Sequence, residues 1–210
     1  MSAVSVIVQS CSVSLLTDGA LCAHDGTLRA IASKVAINQR LRMAIVGIGR
    51  IRPNEIAAKI PVRSQNEAIR SLPAFLAMHR QWNAENAADY ERAGRNDCHL
   101  IVGLWSDDED APEAWIVGSS QAFFGPSYRP FTLAQIDQLC MPPIAAGAFD
   151  PAVFDPRASG AAVLSEQRKH LNRGKHWVGG FGELTTVTAE GVNFDRLLGW
   201  SDKVGEAITP

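Results

Sequence analysis

The sequence predicts an α+β layered domain in which two antiparallel sheets are covered by helices. Three observations predict it. The first fifty residues alternate and turn like a β-meander, a helical stripe with a capping pair opens at Ser64, and strand pairs recur on either side of a second helical signal at Asp155-Pro156. The order is strands, helices, strands, helix, strands. No repeat, low-complexity tract or linker divides it, so residues 1–210 read as one domain.

Val4 to Leu16 reads as one long strand, because Ser10, Ser12 and Ser14 alternate with Cys11, Val13 and Leu15 at period two. Asp18-Gly19 supplies a tight hairpin turn, since both residues tolerate positive φ, and Ala20 to His24 returns as the next strand. Lys34 to Asn38 and Arg42 to Gly47 continue the meander until Gly47, Gly49 and Pro53 break it. Ser64 with Glu67 has capping-box spacing. From there Ile69, Leu72, Leu76 and Trp82 mark a helix running towards Tyr90. Pro73 lacks the N–H that a helix interior needs, so a kink or restart is expected there.

Leu100 to Trp105 and Ala114 to Gly118 are apolar runs flanking Asp107-Asp108-Glu109-Asp110. With strands on both sides, that acidic run reads as a solvated hairpin tip rather than a metal site. Thr132 with Leu133, Ile136 and Leu139 reads as a short capped helix, and Met141 to Asp155 as a loop. Asp155-Pro156 then supplies the cap and first position of a last helix to about Asn172. Trp177 to Thr188, a Glu190-Gly191 turn and Val192 to Leu198 form a closing hairpin.

Composition narrows the function classes. Hydrophobic residues are 46% and charged residues 20% of the chain, so it can bury a core and is not a disordered tail. A formal net charge of −2 offers no basic field, which argues against nucleic acid and anionic membrane surfaces as partners. Cys11, Cys22, Cys98 and Cys140 are scattered without a CxxC pair, as expected of free thiols in a reducing compartment. Met1 to Ser10 has no basic flank and is too short for a signal peptide or span, so a cytoplasmic protein is expected. The five histidines have no ligand spacing, and neither a nucleophile elbow nor a P-loop is present. Neither a metal nor a cofactor is expected.

Three stretches carry a specific likeness. Gly19-Ala-Leu-Cys-Ala-His-Asp25, Ser33-Lys34-Val-Ala-Ile-Asn38 and Met43-Ala-Ile-Val-Gly47 resemble the opening of proteasome β subunits and their bacterial relatives. His176-Trp-Val-Gly179-Gly180 with Leu184 to Thr188 and Glu190-Gly191-Val192 resembles that family's C-terminal hairpin. Leu100 to Trp105 with Ala114-Trp-Ile-Val resembles its central one. The resemblance implies a four-layer αββα sandwich, with two antiparallel sheets between helix layers, of the N-terminal-nucleophile hydrolase class. It also implies a peptide substrate and a homo-oligomer, either a dimer or a ring.

By the same resemblance, Lys34 acts electrostatically on the nucleophile, Asp25 orients Lys34, and the Gly47 N–H serves the oxyanion. Counting back from Asp25 by the family's spacing lands near Gln9, which makes Ser10 or Cys11 the candidate nucleophile after self-cleavage. Ser2 lies several residues too far upstream on that count. Val178 directly before Gly179, and Lys175 nearby, depart from the family's supporting serine and aspartate. The alternative is a non-catalytic scaffold or assembly subunit that keeps Val4 to Gln9 as strand. On local chemistry alone, Asp25 is a cap for the Gly26-Thr27 turn, Lys34 a surface lysine and Gly47 a turn residue.

Overall fold

A computed structural model describes residues 2–49, 51, 53–59, 63–86, 97–121, 127–144, 150 and 153–210. The first sheet contains β1 (Val4–Gln9), β2 (Ser12–Asp18), β10 (Gln138–Met141), β11 (Phe181–Thr188) and β12 (Gly191–Gly199), in the order β10-β1-β2-β11-β12. The second runs β5-β6-β7-β8-β9, from β5 (Val35–Asn38) and β6 (Met43–Ile48) through β7 (His99–Ser106) and β8 (Ala111–Gly118) to β9 (Leu133–Gln135). Between β2 and β5 the chain makes a small sheet from β3 (Ala20–Cys22) and β4 (Leu28–Ile31). All pairings are antiparallel.

Strand alternation sorts the side chains into three cores. Val13 and Leu15 of the first sheet meet Val46, Ile101 and Ile116 of the second in the space between them. Leu100, Val102 and Leu104 face the other way, against α1 (Pro53–Lys59) and α2 (Gln65–Asn86). Ile7, Leu16 and Leu184 face away from the second sheet, against α3 (Pro156–Arg168). A side chain at Gly103 would place its Cβ 2.8 Å from Val13, so glycine permits the close approach of the sheets there.

The four-layer αββα expectation fails on its helices. Among the described residues there are three antiparallel sheets, of five, two and five strands, and three helices, so the structure is mostly β. Two helices lie on the outer face of the second sheet and one on that of the first, too few to make the two helix layers expected. The segment expected as a capped helix at Thr132 to Leu139 is instead β9 and β10, which extend the two sheets at their edges. Tertiary pairing overrides a weak helical spacing of only three apolar residues. Much of β12 faces solvent, with Asn193 and Phe194 exposed, as an antiparallel edge allows.

Other local expectations fare unevenly. Asp155 caps α3 by accepting from the Arg157 and Ala158 N–H groups, with Pro156 in the first turn. That helix stops at Arg168, four residues short of Asn172. Ser64 Oγ accepts from the Glu67 N–H at 3.2 Å, one arm of the capping box. Helix α2 runs unbroken through Pro73, held by a buried face of Ala68, Leu72, Phe75, Leu76, His79 and Asn83. Its continuation to Tyr90 lies outside the described residues, as does part of the Met141 to Asp155 loop. The acidic run 107–110 is the exposed β7–β8 tip, where Asp110 accepts from Trp105 Nε1 and Asp107 pairs with Arg42.

Two corrections bear on the site. Val4 to Leu16 is not one strand, because Ser10 and Cys11 form a two-residue turn and fold β1 back on β2. Asp18-Gly19 is not a hairpin turn either. It is the point where the chain leaves the first sheet for β3. Gly19 is required there by packing, since a Cβ would sit 2.5 Å from the Phe181 ring.

Candidate active site

The β1–β2 hairpin fixes the geometry. Val4 pairs with Thr17 and Gln9 with Ser12, so the register brings Ala3 beside Asp18 at the end of β2. The Ala3 N–H donates to Asp18 Oδ1 at 2.8 Å. Lys34, just before β5, reaches the same oxygen with its ammonium at 2.5 Å. Both side chains are buried, 4% exposed for Lys34 and 0% for Asp18. Asp18 Oδ2 accepts from the Ala20 and Gly179 N–H groups, each at 3.1 Å. A carboxylate with four donors is held in one orientation, and the buried ammonium with it.

The backbone at Lys34 is fixed from both sides. Ser33 Oγ donates to Glu183 Oε1 at 2.8 Å and accepts from the Val35 N–H. The Lys34 carbonyl accepts from the Gly47 N–H at 3.1 Å, which joins β5 to β6. Cys22 is half-buried in β3 beside this pair. Burial pushes its thiol up, the Lys34 charge opposes, and Asp18, the N-terminal ammonium and Asp202 act more weakly.

The sequence candidates separate in space. Lys34 is in the cluster, and it is not a surface lysine. Asp25 is not its partner; it stands exposed at the β3–β4 turn, where its carboxylate accepts from the Thr27 N–H at 2.9 Å. Hydrogen bonds from Thr27 hold that carboxyl below its ordinary value, which is the turn-capping role. Gly47 lies inside β6 with its N–H committed to the Lys34 carbonyl, so it supports the lysine rather than offering a donor to an oxyanion. Ser10 and Cys11 sit exposed at the far end of β2, roughly 20 Å from Asp18 at strand rise. They cannot reach Lys34. Val178 and Lys175 do flank the turn that supplies Gly179, and Lys175 Nζ donates to the Asp25 carbonyl.

Sequence reasoning missed Asp18 and Ala3, and it set Ser2, one residue upstream of Ala3, aside by counting from Asp25. The signal was present in the spacing. A two-residue turn at Ser10-Cys11 pairs each β1 residue with the β2 residue whose number completes a sum of 21, and Asp18 therefore meets Ala3. Among the described residues, no group of three or more His, Cys, Asp or Glu is placed to hold a metal ion. No described helix is long and apolar enough to cross a membrane.

A second titrating group, outside the cluster, sets an acid limit on the fold. His99 opens β7 fully buried, and burial pushes its imidazole down from 6.5 to about 4, with Asp97 partly opposing. As pH falls, the unfolded chain therefore takes up this proton first. Stability present above about pH 6.5 is lost progressively towards pH 4. Urea melts are expected to show a loss of about 2–3 kcal/mol from pH 7 to pH 4.5, most of it absent in His99→Asn. No protein-family model matches this chain, and no curated protein matches it at a significant level.

Proposed function

We propose that this chain is an N-terminal-nucleophile amide hydrolase of the proteasome-like kind, acting on peptide bonds with Ser2 as nucleophile once the residue before it is removed. One observation carries the reading. The Ala3 N–H and the Lys34 ammonium converge on a single buried oxygen, Asp18 Oδ1, which ties Ser2 and Lys34 to the same small volume. A fixed positive charge there favours loss of the proton from a neighbouring hydroxyl, which Ser2 supplies. It rests on the site rather than on the fold class.

The steps follow from those groups. Ser2 Oγ attacks the amide carbonyl carbon, and its proton passes to the free α-amine of Ser2. The C–N bond breaks as that ammonium protonates the leaving amine, and an ester remains on Oγ. Water then attacks the ester, giving its proton to the same α-amine, and Ser2 is restored. Lys34 favours the developing alkoxide and disfavours a second positive charge, which keeps the α-amine available as a base near neutral pH. Asp18 holds the ammonium in place.

Fluorogenic peptide amides test the reading. Ser2→Ala is expected to reduce turnover by about a thousandfold or more while leaving the melting temperature within a degree or two. Ser2→Thr is expected to keep turnover. Equal turnover in wild type and Ser2→Ala would refute the mechanism. A non-catalytic scaffold is the second reading, and the committed Gly47 N–H favours it, because that donor is unavailable to an oxyanion. Retention of the residue before Ser2, with no turnover of any amide, would support it.

A further inference from the structure

We infer that Arg168 and Asp202 are positioning residues for the Asp18–Lys34 pair, acting through the peptide unit between Val178 and Gly179. The effect on turnover rests on the hydrolase reading above; the effect on geometry does not.

Arg168 closes α3 with its guanidinium buried. Nη1 donates to the Val178 carbonyl at 2.9 Å and to Asp202 Oδ2 at 2.8 Å. Nη2 donates to Asp202 Oδ1 and to the Thr209 carbonyl, both at 2.6 Å. The group also lies 4.8 Å over the Trp200 ring. This is a bidentate, desolvated pair, the kind whose geometry is most tightly held.

What it grips leads to the site. The Val178 carbonyl and the Gly179 N–H belong to one planar peptide, so fixing the oxygen aims the opposite N–H. That N–H donates to Asp18 Oδ2. The next N–H, of Gly180, donates to Asp202 Oδ2 at 2.7 Å, where Gly180 takes a φ of 75°. Both peptides around Gly179 are therefore anchored to the same ion pair. A continuous hydrogen-bonded line runs from Arg168 through Val178-Gly179 and Asp18 to Lys34 Nζ.

Gly179 itself is shaped by the clamp. A Cβ there would lie 2.5 Å from Asp202 Oδ2 and 2.8 Å from Arg168 Nη1, so glycine is what lets the pair close over the turn. Ile208, near the chain's last residues, packs 3.0 Å from the same point and lies in the cluster with Ala20, Leu28 and Cys22. The clamp thus fastens α3, the 178–180 turn and the 200–209 segment to one carboxylate in the site.

Amide hydrogen exchange on the full chain tests the geometry, with turnover as an independent arm. In Arg168→Met, the Gly179 and Ala3 amides are expected to exchange at least about tenfold faster, while the Ile101 and Val102 amides keep their protection. The kcat on a peptide amide is expected to fall about ten- to a hundredfold with KM nearly unchanged, as misplacement of a supporting group does. Arg168→Lys, which keeps a donor for Val178, is expected to recover part of both. Asp202→Asn, which keeps an acceptor for Gly180, serves as the milder variant if Arg168→Met fails to fold. Unchanged Gly179 exchange in a folded variant would overturn the inference. So would uniform acceleration of all amides, which marks a merely structural pair. If Lys34→Ala retains wild-type turnover, the hydrolase reading fails while the exchange arm still decides the clamp.

Discussion

Lys34→Ala is expected to lose amide turnover and about 3 kcal/mol of folding stability at the same time. The stability loss follows from burial. Asp18 is 0% exposed, and without the ammonium it keeps its three N–H donors but no compensating charge. Those remaining donors place the loss at the lower end of the range for breaking a buried ion pair. A surface lysine would cost under about 1 kcal/mol. The double variant Lys34→Met, Asp18→Asn separates the two roles. Removing both charges is expected to recover much of the stability, yet none of the turnover, because the Ser2 hydroxyl and its own α-amine no longer feel a fixed cation. Urea denaturation at pH 7 with parallel turnover assays measures both. A loss under about 1 kcal/mol with turnover intact would remove Lys34 from the site.

Deletion of residues 1–9 is expected to leave a chain that does not fold. Strand β1 is not a detachable leader; it lies between β10 and β2 in the first sheet and pairs with both. Val4, Val6 and Ile7 are fully buried, and at about 1.5–3 kcal/mol each their loss is of the order of a whole domain's stability. The deletion also removes the Ala3 donor from Asp18. Circular dichroism and size-exclusion chromatography of the shortened chain give the answer. A folded chain beginning at Ser10 would restore Ser10 and Cys11 as candidates and displace Ser2. Removal of only the residue before Ser2 is expected to leave the fold intact, since β1 starts at Val4.

Elements announced by local chemistry were legible in the sequence: the Asp155 cap with Pro156, the Ser64 and Glu67 start of α2, and the acidic tip between two apolar strands. Elements decided by pairing were not. Ser10-Cys11 carries none of the Asn, Asp or Gly that mark a two-residue turn, and the alternation of Ser and apolar residues runs straight through it. Thr132 to Leu139 has helical spacing over one short stretch, and only the free edges of two sheets make it β9 and β10. With that segment in the sheets and three helices among the described residues, the structure is mostly β.

The site shows the same division. Lys34 is singled out by the family resemblance, whereas its local chemistry alone reads as a surface lysine. Its partner is not singled out, because the chain holds two Asp-Gly pairs, Asp18-Gly19 and Asp25-Gly26, with the same local chemistry. One ends a buried strand and the other caps an exposed turn, and the distinction depends on the β1–β2 register. Counting back from Asp18 instead of Asp25 moves the proposed nucleophile from the far end of β1 to its start. Arg168 and Asp202 had no sequence signal at all, being 34 residues apart.

The most direct test of Ser2 as nucleophile is covalent labelling. Protein from which the residue before Ser2 has been removed is incubated with a small sulfonyl fluoride, which forms an S–O bond to an activated hydroxyl and releases fluoride. The adduct is counted by intact mass and placed by tandem mass spectrometry. One adduct on Ser2 Oγ, absent in Lys34→Ala and in Asp18→Asn, is the result expected here. An adduct on Ser10, or labelling of Ser2 that is indifferent to Lys34 and Asp18, would contradict the assignment.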